Sequence, residues 1–189
     1  MRARGKWCVL AAMIVVVITP ATRASIASPS VRSSVVPDGY RRVAAAHGIP
    51  HELFYAVALA ESGKRIAQHH LIRPWPWTLN IAGQGQYYAS RRAAVAAAHQ
   101  ALARGERSVD FGLMQVNWVY HGQALGSVER AIDPYHNLEV GAAILAGCYR
   151  ARGDWWDAVG CYHAPNNVER ATRYRHRVER IWSRITASG

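Results

Sequence analysis

The alternation of apolar and polar positions divides the chain into a short unbroken apolar run, a polar leader and a series of helical stretches punctuated by Pro and Gly. Residues 7–18 form the run, which carries no charge and follows Arg2, Arg4 and Lys6. Small residues come next at Ala21, Thr22, Ala24, Ser25 and Ala27, completing the pattern of a signal peptide over residues 1–27. The run is shorter than the ~20 apolar residues a spanning helix needs, so no stable membrane span is expected once the signal is removed. Residues 28–36 read as a flexible leader of Ser, Pro and small side chains, and residues 37–189 as one domain.

Within that domain the period is helical. Pro50 follows the break at His47, Gly48 and Ile49 and suits the first turn of a helix reaching Ser62, in which Phe54, Val57, Ala58 and Glu61 share a face. Pro74 and Pro76 then interrupt any helix, and Gly83-Gln84-Gly85 between residues 78–81 and 86–88 predicts a small β-hairpin. Residues 91–104 are Ala-rich and helical by propensity, with Gly105 as the stop. Asn137 is a candidate N-cap for a helix that Gly153 ends, and Asp154 caps a shorter one that Pro165 ends. Ala171, Tyr174, Val178, Ile181, Trp182 and Ile185 line one face of a last helix. The expected fold class is therefore mainly α (α+β), a single domain with a small β-hairpin.

Charge narrows the choice of partners. The formal charge of +11 falls to +7 without residues 1–27, because four basic residues and no acid leave with them. A basic exported domain suits an anionic polymer or membrane surface. Nucleic acid is not expected: the arginines from Arg150 to Arg180 are mixed with acids and no nucleic-acid-binding motif surrounds them. Export leaves Cys148 and Cys161 as the two remaining thiols, either bridged or free and buried.

Candidate chemistry begins with Glu61, an acid on the apolar face near a helix C-terminus, where both burial and the backbone dipole favour the protonated form. A carboxylic acid kept neutral near pH 7 is what breaking a glycosidic bond requires, since the leaving oxygen must receive a proton. An exposed glutamate at a fraying helix end is the plainer reading of position alone. A second candidate segment, Asp110-Phe111-Gly112-Leu113-Met114-Gln115-Val116-Asn117-Trp118, interleaves apolar residues with two amides. In an extended chain Gln115 and Asn117 would point to one side, where amides suit sugar hydroxyl and acetamido groups. A turn in which an amide satisfies the backbone accounts for the same residues. Trp75, Trp77, Tyr87 and Tyr88 either stack on sugars or cover the core, while Trp155, Trp156 and Trp182 read as packing. No metal and no cofactor is expected: Tyr55 stands where a zinc-protease pattern opened by His51-Glu52 needs its second His, and His69-His70 lacks further ligands.

Taken in order, Glu61-Ser62, the run from Gly112 to Asn117, Tyr162 and Tyr174 resemble the motifs of the soluble lytic transglycosylase family over about residues 37–182. The segment Arg73-Pro74-Trp75-Pro76-Trp77-Thr78-Leu79-Asn80 resembles the members linked to conjugative transfer and secretion systems. The resemblance implies a lysozyme-like fold acting on peptidoglycan glycan strands, between N-acetylmuramic acid and N-acetylglucosamine, with components of a transfer apparatus as further partners. It implies Glu61 as acid and then base, and 1,6-anhydro ends as the product. Substrate contacts fall to Ser62, which holds substrate or the local turn, and to Gln115, Asn117, Tyr162, His163 and Tyr174. His163 and Pro165 depart from the family's Ala-Tyr-Asn-Ala-Gly. The alternatives are a goose-type lysozyme hydrolase, for which Asp110 is the second acid, and a non-catalytic peptidoglycan-binding assembly factor.

Overall fold

The computed structural model describes residues 35–66 and 71–187. The expected signal peptide, most of the expected leader and the His69-His70 pair lie outside the described residues. Val36, the last leader residue by sequence, is buried in the core, so the packed region begins one residue earlier than its composition suggests.

Helix α1 (Asp38–Ala46) and helix α2 (His51–Ser62) flank the predicted break, with Pro50 at the N-cap of α2, one residue ahead of its first turn. Leu53 to Ala58, Ala60 and Ser62 are all buried, so α2 is enclosed on every side and its apolar residues form no single stripe. A chain with so little charge in this stretch can bury it whole. Helix α3 (Arg91–Ala103) starts at Ser90, whose hydroxyl accepts from the Ala93 amide, and ends before Gly105 as expected.

Two small antiparallel sheets complete this half. Strands β1 (Gly63–Ile66) and β2 (Leu71–Pro74) pair directly after α2. The predicted hairpin is β3 (Thr78–Ile81) with β4 (Gln84–Tyr87), and it joins β5 (Val109–Phe111) and β6 (Val116–Asn117) in the order β4-β3-β5-β6. The hairpin turn is corrected by one step: Ala82 and Gly83, both at positive φ, make a two-residue turn, and Gln84 and Gly85 belong to the strand. Periodicity missed the other strands, because segments of two to four residues are too short to show a repeat.

The second half is helical: α4 (Trp118–Leu125), α5 (Val128–Ala131), α6 (Pro134–Arg152), α7 (Trp155–His163) and α8 (Val168–Ala187). Helix α7 packs between α6 and α8, and α8 lies along α2. Cys148 of α6 and Cys161 of α7 form a disulfide, with Cα atoms 5.9 Å apart. Closing so short a loop removes on the order of 3 kcal/mol of unfolded-chain entropy. Tyr149 stacks on Trp155 at 4.0 Å, and Trp156 meets Trp182 edge-on at 5.6 Å, which places these tryptophans in packing as read from sequence. None of the described helices is long and apolar enough to cross a membrane.

One assignment is overturned. Asn137 does not cap α6; Asp133 does, accepting from the His136 amide ahead of Pro134. An Asp-Pro pair is a strong start signal, since Asp supplies the cap and Pro lacks the amide that would go unpaired there. Asn137 lies a turn inside the helix and is fully buried. Its amide donates to Phe111 O at 2.8 Å and Ala131 O at 3.1 Å, and its oxygen accepts from Met114 N at 2.8 Å. Replacement by Ala would leave three buried backbone groups without these partners, at about 1–3 kcal/mol each. Asn137→Ala is therefore expected to lower unfolding free energy by about 3 kcal/mol or more, read from the urea midpoint at constant slope. A loss below about 1 kcal/mol would mean that the amide is not what holds the segment.

Candidate active site

The site is built around a turn, residues 112–115, that joins β5 to β6. Gly112 has a φ of 74°, and a Cβ there would meet the Asn137 side chain at 2.6 Å, so only Gly fits. Leu113 and Met114 point into the core. Met114 lies over Gly141 of α6, where a Cβ would come within 2.6 Å of it. Gln115 takes a φ of 46°, rare for a residue with a side chain. Its own carboxamide offsets that strain by donating to Gly112 O at 2.9 Å and Thr78 O at 3.3 Å. Three helices then hold the turn from outside. Ser62 of α2 donates to Leu113 O at 2.8 Å, Tyr162 of α7 to Met114 O at 2.6 Å, and Asn137 of α6 joins both Phe111 O and Met114 N.

Glu61 is the neighbour of Ser62 at the end of α2 and is half-buried, with Tyr174, Arg177 and Asp110 near enough to act on its charge. Desolvation raises its carboxyl from 4.5 to about 7, against the opposing pull of the Tyr174 hydroxyl and the Arg177 charge, with the Asp110 carboxylate adding to the rise. Burial thus dominates, as the apolar helix face suggested. The Tyr174 hydroxyl is buried and makes no close hydrogen bond, yet it stands near enough to Glu61 to favour the charged form by donation. The phenols of Tyr162 and Tyr174 are both pushed well above their ordinary value by burial, and next by the Glu61 charge. Both therefore remain donors at neutral pH. His163 stacks face to face on Tyr174 with centroids 4.3 Å apart, and burial together with Arg170 and Arg177 lowers its pKa.

Asp110 sits in the sheet with both oxygens engaged: Oδ1 accepts from Asn117 Nδ2 at 2.6 Å and Oδ2 from Asn80 Nδ2 at 2.8 Å. The three residues stand side by side on β3, β5 and β6, so the pairs are cross-strand neighbours. The Asn117 oxygen caps α4 by accepting from Val119 N and Tyr120 N.

Of the residues singled out by sequence, Glu61, Tyr162, His163 and Tyr174 converge. Ser62 lies beneath them, fully buried, holding the turn. Gln115 and Asn117 do not face the same way as an extended chain would have it, because Gln115 occupies the left-handed turn and curls onto its own backbone. Its Oε1 makes no hydrogen bond to another described residue. Asn117 is committed to Asp110 and the α4 cap. At the outer edge Trp75 and Trp77 meet edge-on at 5.4 Å, and the Lys64 ammonium sits 4.1 Å above the Trp75 ring. Asn80, Asn137 and Arg177 are functional neighbours that sequence reading missed. Arg177 alone was legible, being three residues beyond Tyr174 on a helix.

Residues 40–182 match the family profile of the transglycosylase SLT domain. The chain belongs to the transglycosylase SLT domain family. The match covers α1 through most of α8, and the SLT domain assignment brings with it the lysozyme-like, mainly α fold and lytic transglycosylase activity on peptidoglycan as the general class. No significant match appears among the curated proteins or the solved structures.

The raised carboxyl has a consequence for stability. With a folded pKa of about 7 above an unfolded value of 4.5, the folded SLT domain holds a proton that the unfolded chain has lost. That contribution is complete below the unfolded pKa and disappears as pH rises through about 7. Glu61→Gln is expected to melt at the same temperature as the native chain near pH 4 and at a higher one near pH 8. Equal melting temperatures at both pH values would show that the carboxyl is not desolvated.

Proposed function

We propose that the chain is an exported lytic transglycosylase in which Glu61 is the single acid and base. The observation that carries this reading is a half-buried carboxyl, raised to about 7, at the end of a helix and beside two phenol donors. In the first step Glu61 gives its proton to the bridging oxygen as the bond to C1 breaks, and the substrate's own N-acetyl oxygen closes onto C1. In the second, the Glu61 carboxylate takes the proton of the sugar's 6-hydroxyl, whose oxygen attacks C1 and releases the acetamido group. The product is a 1,6-anhydro end and no water is consumed. The phenol of Tyr174 favours the carboxylate between the steps, and Tyr162 keeps the turn in place. Gln115 Oε1 is left to accept from the acetamido N–H.

Hydrolysis needs a base to activate water. Asp110 is the nearby carboxylate, and the two asparagine amides on its oxygens oppose its use as that base. We further propose, from the basic and apolar start of the chain, that the protein acts outside the cytoplasmic membrane. From the resemblance around Trp75 and Trp77, we propose that it opens the wall locally for an envelope-spanning transfer apparatus. Normal element transfer by a deletion strain stripped of redundant transglycosylases would count against that last role.

Purified sacculi treated with the native chain are expected to release muropeptides with anhydro ends, one water lighter than hydrolysis products by mass spectrometry, and Glu61→Gln to release none. Reducing ends would assign a lysozyme reaction; binding without release by either protein would assign a binding factor. Release should also fall about tenfold per pH unit above about 7, as the proton is lost from Glu61.

A further inference from the structure

The two faces of the four-stranded sheet carry different chemistry. Asn80, Asp110 and Asn117 stand on one of them, and it is the Asp110 carboxylate there that acts on Glu61. Alternation along the strands puts Ile81, Gln84 and Gln86 on the other face, with the buried Leu79 and Phe111. Helix α3 packs against β3 and brings Ala97, Gln100 and Arg104, spaced by three and four residues, to the same space. An open cavity of about 590 Å³ lies between the strand and the helix, inside the roughly 300–1,000 Å³ of small-ligand sites. The proposed reaction makes no use of it.

Its lining is amide-rich and balanced in charge. Ile81 and Ala97 are half-buried and apolar, whereas Gln84, Gln86 and Gln100 are exposed. The Tyr88 hydroxyl donates to Gln86 Oε1 at 2.8 Å, which orients that carboxamide and leaves its Nε2 to donate elsewhere. The Gln84 and Gln100 side chains make no hydrogen bond with another described residue. Arg104 and Glu106 contribute one charge of each sign, so the lining is neutral in a chain of net charge +11, and the Glu106 carboxylate already accepts from Ser108 N at 2.6 Å. Such a lining does not select an ion. Carboxamides both donate and accept, as hydroxyl and acetamido groups require, and the apolar pair can meet the C–H face of a sugar ring.

We propose that the cavity between β4 and α3 is a second, non-catalytic glycan site, which holds uncharged N-acetylated sugars of a strand other than the one being cut. That the sugars belong to peptidoglycan rests on the transglycosylase reading. The sheet separates the cavity from Asp110, so a sugar seated there leaves Glu61 free to work on another strand. The site anchors the enzyme to the wall and raises the local concentration of strands at Glu61 without touching the reacting atoms.

Two measurements test the site. In the first, the Glu61→Gln chain is titrated with a soluble N-acetylglucosamine oligomer, and the side-chain amide signals of Gln84 and Gln100 are followed by NMR; both are expected to move. In the second, Gln84→Ala with Gln100→Ala, at two exposed positions, is expected to raise KM on sacculi about tenfold, the factor that about 1.4 kcal/mol corresponds to. Its kcat on sacculi and its rate on short soluble strands, which cannot fill both sites at once, should stay native. Amide signals that stand still while those around Glu61 move would overturn the proposal. So would a native KM on sacculi, or a loss of rate that is equal on sacculi and on short strands. A native chain that releases nothing from sacculi would sink the transglycosylase reading alone, because the titration would still decide whether the cavity binds sugar.

Discussion

The structure depends on how a turn that would not hold by itself is held from all sides. Residues 112–115 contain two left-handed positions, one of them Gln115, and the turn has only four residues in which to reverse the chain between β5 and β6. Strain of this kind persists only where the surroundings over-determine it. Here Ser62, Asn137 and Tyr162 reach it from α2, α6 and α7, and every one of them bonds to backbone. The same bonds fix the three helices relative to each other. The turn and the docking of the three helices therefore depend on each other.

Glu61 gains its character from that arrangement. It is next to Ser62, so whatever fixes the serine under the turn also fixes the carboxyl above it. Burial withdraws water from the carboxyl while Tyr174 and Arg177 give back part of the lost solvation, and the net rise stops near neutrality. A deeper burial without those two groups would leave an acid too weak to cycle, and a solvated one would be ionised throughout the working range. The Asn80–Asp110–Asn117 ladder contributes from further off, by keeping one negative charge in a fixed place across three strands.

Helix α8 serves two surfaces at once. Tyr174, Val178 and Ile185 are buried in the core, whereas Arg170 and Arg177 are exposed and their charges act on His163, which stacks on Tyr174. A substitution at position 163 is thus felt by Tyr174, whose hydroxyl acts on the Glu61 carboxyl. The departure from the family pattern at His163 and Pro165 is confined to the α7–α8 junction, and the proline follows a helix that has already ended at His163.

Much of the fold was legible in the amino-acid order because it rests on local physics. Asp154 and Gly153 mark helix ends by side-chain capping and left-handed backbone, and each is where its residue type predicts. Helical period identified the buried face of α8 and with it Tyr174, whereas α2 is buried all round and shows no single face. The order of motifs identified the family. What the sequence could not decide was which amides serve the substrate and which serve the protein. Asn137 read as a cap, and Gln115 and Asn117 as sugar ligands or as turn amides that satisfy the backbone; the fold commits Asn137 to Phe111, Gln115 to Gly112 and Thr78, and Asn117 to Asp110. The disulfide between Cys148 and Cys161 was open for the same reason. Capping and periodicity depend on neighbours in the chain, whereas the bonding of an amide, the pairing of a thiol and the proton affinity of a carboxyl depend on what the folded chain brings within a few ångströms.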